Sequence, residues 1–253
     1  MLIKITEKCS MGCTHCMNNA TPDGKHMTKA TLRDVLRFVV NNQAYESLVI
    51  TGGEPTEHPE FVKMMEIIID TLGQVGHEII LTITTNGFWC LDNIEACKHL
   101  NTRNANIILR WQVSTDSRYY PKELPLHKRL WREPEFVLCP DCVVQVYPQG
   151  RALQNSMPWQ AKASKCFNVR AMLKQLPTKS IGVLVEAMLV RGYLCTPAIR
   201  IDGSIGLGES DLCPSVATIY DTEETIIQKI IDFKCHQCDF INDKLPDVYK
   251  QFL

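Results

Sequence analysis

Twelve cysteines stand in this chain, and nine of them fall into groups. Cys9, Cys13 and Cys16 share the run CSMGCTHC; Cys139 and Cys142 flank Pro140-Asp141; Cys195 precedes Cys213; Cys235 and Cys238 form a last pair. Cys90, Cys97 and Cys166 stand alone and read as ordinary core thiols. A secreted disulfide scaffold would be shorter and denser in cysteine, whereas clustered thiols in a reducing compartment are more often metal ligands or redox groups. Three thiolates on one loop can hold three corners of an iron–sulfur cube and leave one iron without a protein ligand, and an open position makes a metal centre reactive. The same loop could hold a structural zinc, with His15 or His26 as fourth ligand. Spacing alone leaves both readings standing.

These residues need elements to position them. Leu2 to Thr6 reads as a strand running straight into Cys9. Lys29 to Asn41 carries Leu32, Val35, Leu36 and Val39 at helical spacing, and Phe61 to Leu72 repeats the pattern with Phe61, Met64, Met65, Ile68 and Leu72. Ser47 to Gly53, the run EIILTITTNG ending at Asn86-Gly87, and Ile107 to Ser114 read as further strands, with a shorter helix from Leu91 to Leu100. Strict alternation implies βαβ units and a parallel sheet, in which ligands bind at the C-terminal strand ends. Cys9, Gly52-Gly53-Glu54, Thr85-Asn86-Gly87 and Ser114 with Asp116 all fall at such ends. Beyond Asp116 the rhythm weakens. Lys122 to Trp131 reads as a helix, the EFVL run as a short strand, Cys142 to Ala152 as a strand entering a loop, and Asn155 to Thr178 as a helical or irregular connection. From Ile181 strand-like stretches follow, then a turn at Asp202-Gly203 and a helix from Thr222 to Asp232. A boundary near residue 178 divides a core of 1–178 from a unit of 179–253.

Composition narrows the function classes. The 253 residues carry 27 Lys+Arg against 28 Asp+Glu, so a strongly basic nucleic-acid surface is not expected. The longest apolar stretch, Ile181 to Val190, contains Glu186 and is too short to span a bilayer. The N-terminus has no signal-peptide architecture, which gives the cytoplasm as the expected compartment.

With these motifs in order, the chain resembles the radical S-adenosylmethionine (SAM) superfamily over most of its length. CSMGCTHC matches the family's CxxxCxxC after the first strand; GGEP (Gly52 to Pro55) ends the second, TTNG the third, and Ser114-x-Asp116 the fourth. Gly150-Arg151-Ala152, after a late strand, is also common in the family. The resemblance implies a [4Fe–4S] cluster on Cys9, Cys13 and Cys16, with SAM on the open iron and reductive cleavage giving methionine and a 5′-deoxyadenosyl radical. It implies an external electron donor of flavodoxin or ferredoxin type. Gly52 and Gly53 would present carbonyls to the SAM ammonium and Glu54 a matching charge; Asn86, Ser114 and Asp116 would meet ribose or carboxylate, and the backbone at His15 adenine. Asn86-Gly87 could equally be only a turn, Asp116 a cap and Arg151 a surface charge. Two features depart from the pattern: Met17 replaces an aromatic residue, and only about 35 residues separate Ser114 from Gly150. The implied fold is therefore a partial TIM-like βα barrel with a small cysteine-rich α+β extension, and its opening is where substrate or the C-terminal unit would sit.

Cys195, Gly208, Cys213 and the pair Cys235/Cys238 resemble the half-SPASM or "twitch" extension, whose four cysteines hold an auxiliary [4Fe–4S] cluster. A zinc ribbon uses similar pairs. Cys139 and Cys142 read as a third metal half-site, a redox pair or a tight turn. The leading expectation is an oxidoreductase or maturase acting on a peptide, a protein or a small metabolite. A polyol dehydrogenase of the same superfamily and a non-catalytic zinc adaptor are the alternatives. A first strand at residue 2 leaves no segment for gripping a leader peptide, and no residue declares itself the substrate acid or base.

Overall fold

The computed structural model of the chain describes residues 1–45, 47–114, 120–121, 136–139, 150–155, 180–190, 196–208 and 213–233. The first half follows the alternation read from the sequence: β1 (Leu2–Thr6), α1 (Lys29–Asn41), β2 (Ser47–Gly52), α2 (Phe61–Leu72), β3 (Ile79–Thr85) and β4 (Ile107–Ser114). Helix α1 starts where Thr28 accepts a hydrogen bond from the Thr31 N–H, an N-cap that satisfies one of the first-turn donors. Its Leu32, Val35, Leu36 and Val39 are buried, as are Met64, Met65, Ile68 and Leu72 of α2.

Helix Leu91–Leu100 is corrected to two, α3 (Phe88–Asp92) and α4 (Ile94–Thr102). The break has a local cause. Asn93 donates its side-chain amide to the Trp89 carbonyl at 2.9 Å, taking an acceptor that a continuous helix would use.

In the sheet the order is β5-β4-β3-β2-β1-β6-β7-β8, with β5 at Phe136–Cys139, β6 at Pro197–Ile199, β7 at Ser204–Leu207 and β8 at Ser215–Thr218. Strands β5 through β1 are parallel, and β6 continues the parallel run by pairing Leu2 with Ala198 and Ile3 with Ile199. The antiparallel hairpin β6–β7 turns at Asp202-Gly203, as expected, and β8 follows antiparallel. Among the described strands β5 and β8 are edges, so the sheet is open. This is the expected α/β fold, an unclosed and mostly parallel barrel. Strand β4 alternates buried and exposed: Ile107, Leu109, Trp111 and Val113 face the helices, while Arg110 and Gln112 lie on the more open face.

Two further sequence expectations fail. Ile181–Val190 is a helix, α6, rather than strand-like. A short, almost wholly apolar run carries no decisive periodicity, and its ten residues exceed an ordinary strand. The burial of Ile181, Leu184 and Val185, with Val183 exposed, is the helical spacing. Where the strand from Cys142 was read to run into a loop by Ala152, Gly150–Gln154 forms a short helix, α5. The readings over 122–131 and 156–178, the strand over 142–149 and the boundary at 178 lie outside the described residues. A last helix, α7 (Glu223–Asp232), is N-capped by Thr222. Among the described residues no helix is long and apolar enough to cross a membrane.

Candidate functional site

The C-terminal ends of β1, β2, β3 and β4 converge on the loop that carries Cys9, Cys13 and Cys16. Cys9 and Cys13 are buried and Cys16 half-buried, in a small apolar cluster with Met11, Ala20, Phe88 and Tyr120. The loop is tied to its surroundings at several points. The Cys9 N–H donates to the Thr21 carbonyl at 2.9 Å, and Cys16 N–H to the Cys13 carbonyl at 3.3 Å. Glu57, in a short turn after β2, accepts from the Ser10 N–H at 2.9 Å and from the Ser10 hydroxyl at 2.7 Å. From the far side of the chain, Arg151 Nη1 donates to the Cys13 carbonyl at 2.8 Å and Nη2 to the Ala20 carbonyl at 2.6 Å.

Burial dominates the thiol chemistry. It pushes Cys9 up to about 11, assisted by the nearby Glu54, and pushes Cys13 up to about 12, assisted by the neighbouring Cys9 and Cys16. Clustered thiols of this kind hold their protons until a metal displaces them. Cys90 and Cys97 are fully buried core thiols, as expected; a hydrogen bond with Cys97 and then burial push Cys90 upward.

Gly52 and Gly53 sit where β2 meets the cysteine loop. A Cβ at Gly53 would overlap the Lys8 carbonyl and crowd Ala20, so the backbone of the first loop is what requires glycine there. The Gly53 and Glu54 amides donate to Thr6 and Lys8 carbonyls, each at 2.8 Å, and the Asn18 side chain donates to the Gly52 carbonyl at 3.2 Å.

Glu54 is 3% exposed. Its Oε1 accepts from the hydroxyls of Thr56 and Thr85, both at 2.7 Å, and Oε2 accepts from the Asn86 N–H at 2.7 Å. Burial nonetheless raises its proton affinity, so desolvation outweighs these donors. A buried carboxylate with donors fixing its orientation, and no cationic side chain against it among the described residues, is suited to a cationic ligand. Thr85 lies in the TTNG run named above, whereas Thr56 escaped the sequence reading because a threonine in a turn carries no signal of its own.

Asn86 and Gly87 do form a turn: Gly87 has φ +80°, and Asn86 Oδ1 accepts from the Phe88 N–H at 3.1 Å. Asn86 therefore serves the turn with its side chain and Glu54 with its backbone. Ser114 ends β4 half-buried and hydrogen-bonds Tyr120, whose phenol burial pushes up to about 12. The Tyr120 ring meets His15 edge-on at 5.0 Å. Tyr120 thus bridges the β4 end and the cysteine loop, and a tyrosine in an aperiodic segment gave the sequence reading nothing to find. Asp116 lies outside the described residues, as do Cys195, Cys235 and Cys238. Cys213 is buried, and its carbonyl accepts from Arg200 Nη2.

Three thiols on one loop, two of them buried, are a donor set of the type a cube takes, one thiolate to each of three irons.

Comparison with known proteins places this arrangement. Residues 3–110 match the family model described as the Radical SAM superfamily. Three curated relatives are named GTP 3′,8-cyclase. That of Pasteurella multocida (strain Pm70) is 29% identical over 124 residues, 47% of this chain and 34% of that protein. That of Haemophilus ducreyi (strain 35000HP / ATCC 700724) is 31% identical over 108 residues, covering 42% and 31%. That of Campylobacter jejuni (strain RM1221) is 30% identical over 112 residues, covering 42% and 33%. The chain thus spans about a third of the length of these relatives. Among solved structures, BtrN in complex with AdoMet and 2-DOIA shares the fold at TM-score 0.57 and 11% identity, over 91% of this chain and 85% of that one. The anSMEcpe structure with bound AdoMet and Cp18Cys peptide does so at TM-score 0.52 and 16% identity, over 96% and 85%. The family implies a [4Fe–4S] cluster and SAM. Residues 3–110 of this chain are thus similar to the Radical SAM superfamily, in the stretch that carries the cysteine loop and Glu54.

Proposed function

We propose that the chain is a radical SAM oxidoreductase, with a [4Fe–4S] cluster on Cys9, Cys13 and Cys16 and SAM beside it. When bound, the cluster supplies the electron that splits the sulfonium into methionine and a hydrogen-abstracting adenosyl radical. The protein's part is to hold and orient. Glu54 offers its charge to the SAM ammonium, and Gly52 and Gly53 bring backbone close to it. Asn86, Ser114 and Asp116 meet ribose or carboxylate, the backbone at His15 meets adenine, and Tyr120 excludes water from the same side.

The observation that carries this reading is Glu54, a buried carboxylate near Cys9 of the cysteine loop, held by Thr56, Thr85 and Asn86. The substrate is a small metabolite or a peptide or protein, oxidised by two electrons. One electron would leave with the abstracted hydrogen; Cys195, Cys213, Cys235 and Cys238 would hold an auxiliary [4Fe–4S] cluster able to accept the other, the proton going to solvent. Dehydrogenation of a small polyol is the second reading, favoured by the fold shared with BtrN, which was solved with 2-DOIA.

The test is anaerobic reconstitution with iron and sulfide, followed by dithionite and SAM. Formation of 5′-deoxyadenosine by the wild type and its loss in Glu54→Gln are expected. A wild-type chain that loads iron yet leaves SAM intact overturns the proposal.

A further inference from the structure

The cysteine loop is short of regular structure. A loop meant to present three thiols in fixed relation needs its carbonyls tied down from outside. Four contacts from α5 and the residue that follows it do this. The Arg151 guanidinium spans the loop, donating to Cys13 O at 2.8 Å and Ala20 O at 2.6 Å. The Arg151 N–H donates to the Cys16 carbonyl at 2.8 Å, and Asn155 Nδ2 to the Thr14 carbonyl at 2.9 Å. Two of the three cysteines are thereby held through their own carbonyls. The approach is close enough that a Cβ on Gly150 would overlap the Met17 and Cys16 carbonyls, and Gly150 adopts φ +53° to make it.

We infer that Arg151 is the positioning residue of the cluster loop, a planar fork that bridges Cys13 and Ala20 and holds the three thiols in their cluster-presenting arrangement. The inference rests on the cluster assignment under Proposed function. Geometry favours arginine here: two nitrogens of one rigid plane reach two carbonyls at once, which a lysine ammonium on a flexible stem does not reproduce at equal cost. The fork also sets a positive charge against the backbone of a ligand cysteine, next to where an anionic cluster would sit.

The experiment compares wild type, Arg151→Met, Arg151→Lys and Asn155→Ala, each reconstituted anaerobically with iron and sulfide. Iron per chain, the rate of iron loss to a ferrous chelator and the electron paramagnetic resonance (EPR) g-values of the dithionite-reduced protein are read, with circular dichroism as the check on folding. Outer partners of metal ligands typically change affinity by about 10- to 100-fold. Arg151→Met should therefore lose iron about tenfold faster than wild type and shift the g-values, with its fold retained, and Arg151→Lys should fall between them. Wild-type iron retention and g-values in Arg151→Met overturn the inference. If Arg151→Met does not fold, Arg151→Lys decides: wild-type retention and g-values in that variant overturn the inference as well. The Cys13→Ala control separates the two claims. If it loads as much iron as wild type, the cluster assignment itself fails, and the role given to Arg151 falls with it.

Discussion

Cys13 and Cys213 lie on different parts of the sheet but are gripped in the same manner. Arg151 donates to the Cys13 carbonyl, and Arg200, lying across Gly206, donates to the Cys213 carbonyl and to Ser215 Oγ at 3.1 Å. What surrounds each cysteine differs. The first lies at the tips of parallel strands beside Glu54, the one buried carboxylate among the described residues. The second lies between β7 and β8 of an antiparallel arrangement, with no buried acid among the described residues around it. A shared grip with unlike electrostatics teaches that holding a thiol and recruiting a cation are separable tasks. On the function proposed above, the first region would do both and the second would only hold.

The strongest break of that contrast is Cys13→Ala. It should abolish 5′-deoxyadenosine formation and lower iron from about eight to about four per chain, leaving the C-terminal cluster in place. Next comes Gly53→Ala. The new Cβ meets the Lys8 backbone carbonyl rather than a side chain that can swing aside, so a loss of about 1–3 kcal/mol or more is expected in chemical denaturation, together with poor iron loading.

Glu54→Gln should weaken SAM binding by about 2 kcal/mol or more in equilibrium titration while the iron content holds. Its pH dependence sharpens the point. Burial raises the Glu54 carboxyl above its unfolded value, so the folded chain binds that proton more tightly than the unfolded chain does. That contribution to stability is present below the ordinary carboxylate range and is lost as pH rises through the raised value. SAM affinity runs the other way: it should fall as pH drops through the raised value and the charge disappears, and Glu54→Gln should flatten this acid limb.

Cys213→Ser should spare SAM cleavage more than substrate turnover; equal loss of both would argue against an electron-transfer role for the second region. The smallest effect belongs to Tyr120→Phe, which deletes the hydrogen bond to Ser114. A change of about 0.5–1.5 kcal/mol in thermal unfolding is expected, with cleavage altered only a few-fold.

The legible parts of this protein are those written locally. Strands β1 to β4 and helices α1 and α2 show because their apolar residues recur at fixed short spacing, and the three cysteines show because one loop carries them all. Ile181–Val190 misled because an apolar run gives strand and helix alike. Which residues support the site was hidden for another reason: Glu57 lies 47 residues from Ser10, and Arg151, visible only as part of the Gly150-Arg151-Ala152 run, lies 138 from Cys13. No pattern within a window joins residues so far apart. The same holds for β6, a three-residue strand whose partner is the first strand of the chain.

The central claim concerns an iron at the first loop that lacks a protein ligand and is left to SAM. EPR spectroscopy of the anaerobically reconstituted, dithionite-reduced chain, recorded with and without SAM, tests it directly. The account predicts a reduced iron–sulfur signal that changes on adding SAM in the wild type and in Cys213→Ser, and not in Cys13→Ala. A wild-type signal indifferent to SAM, or a first loop filled by EPR-silent zinc, would contradict it.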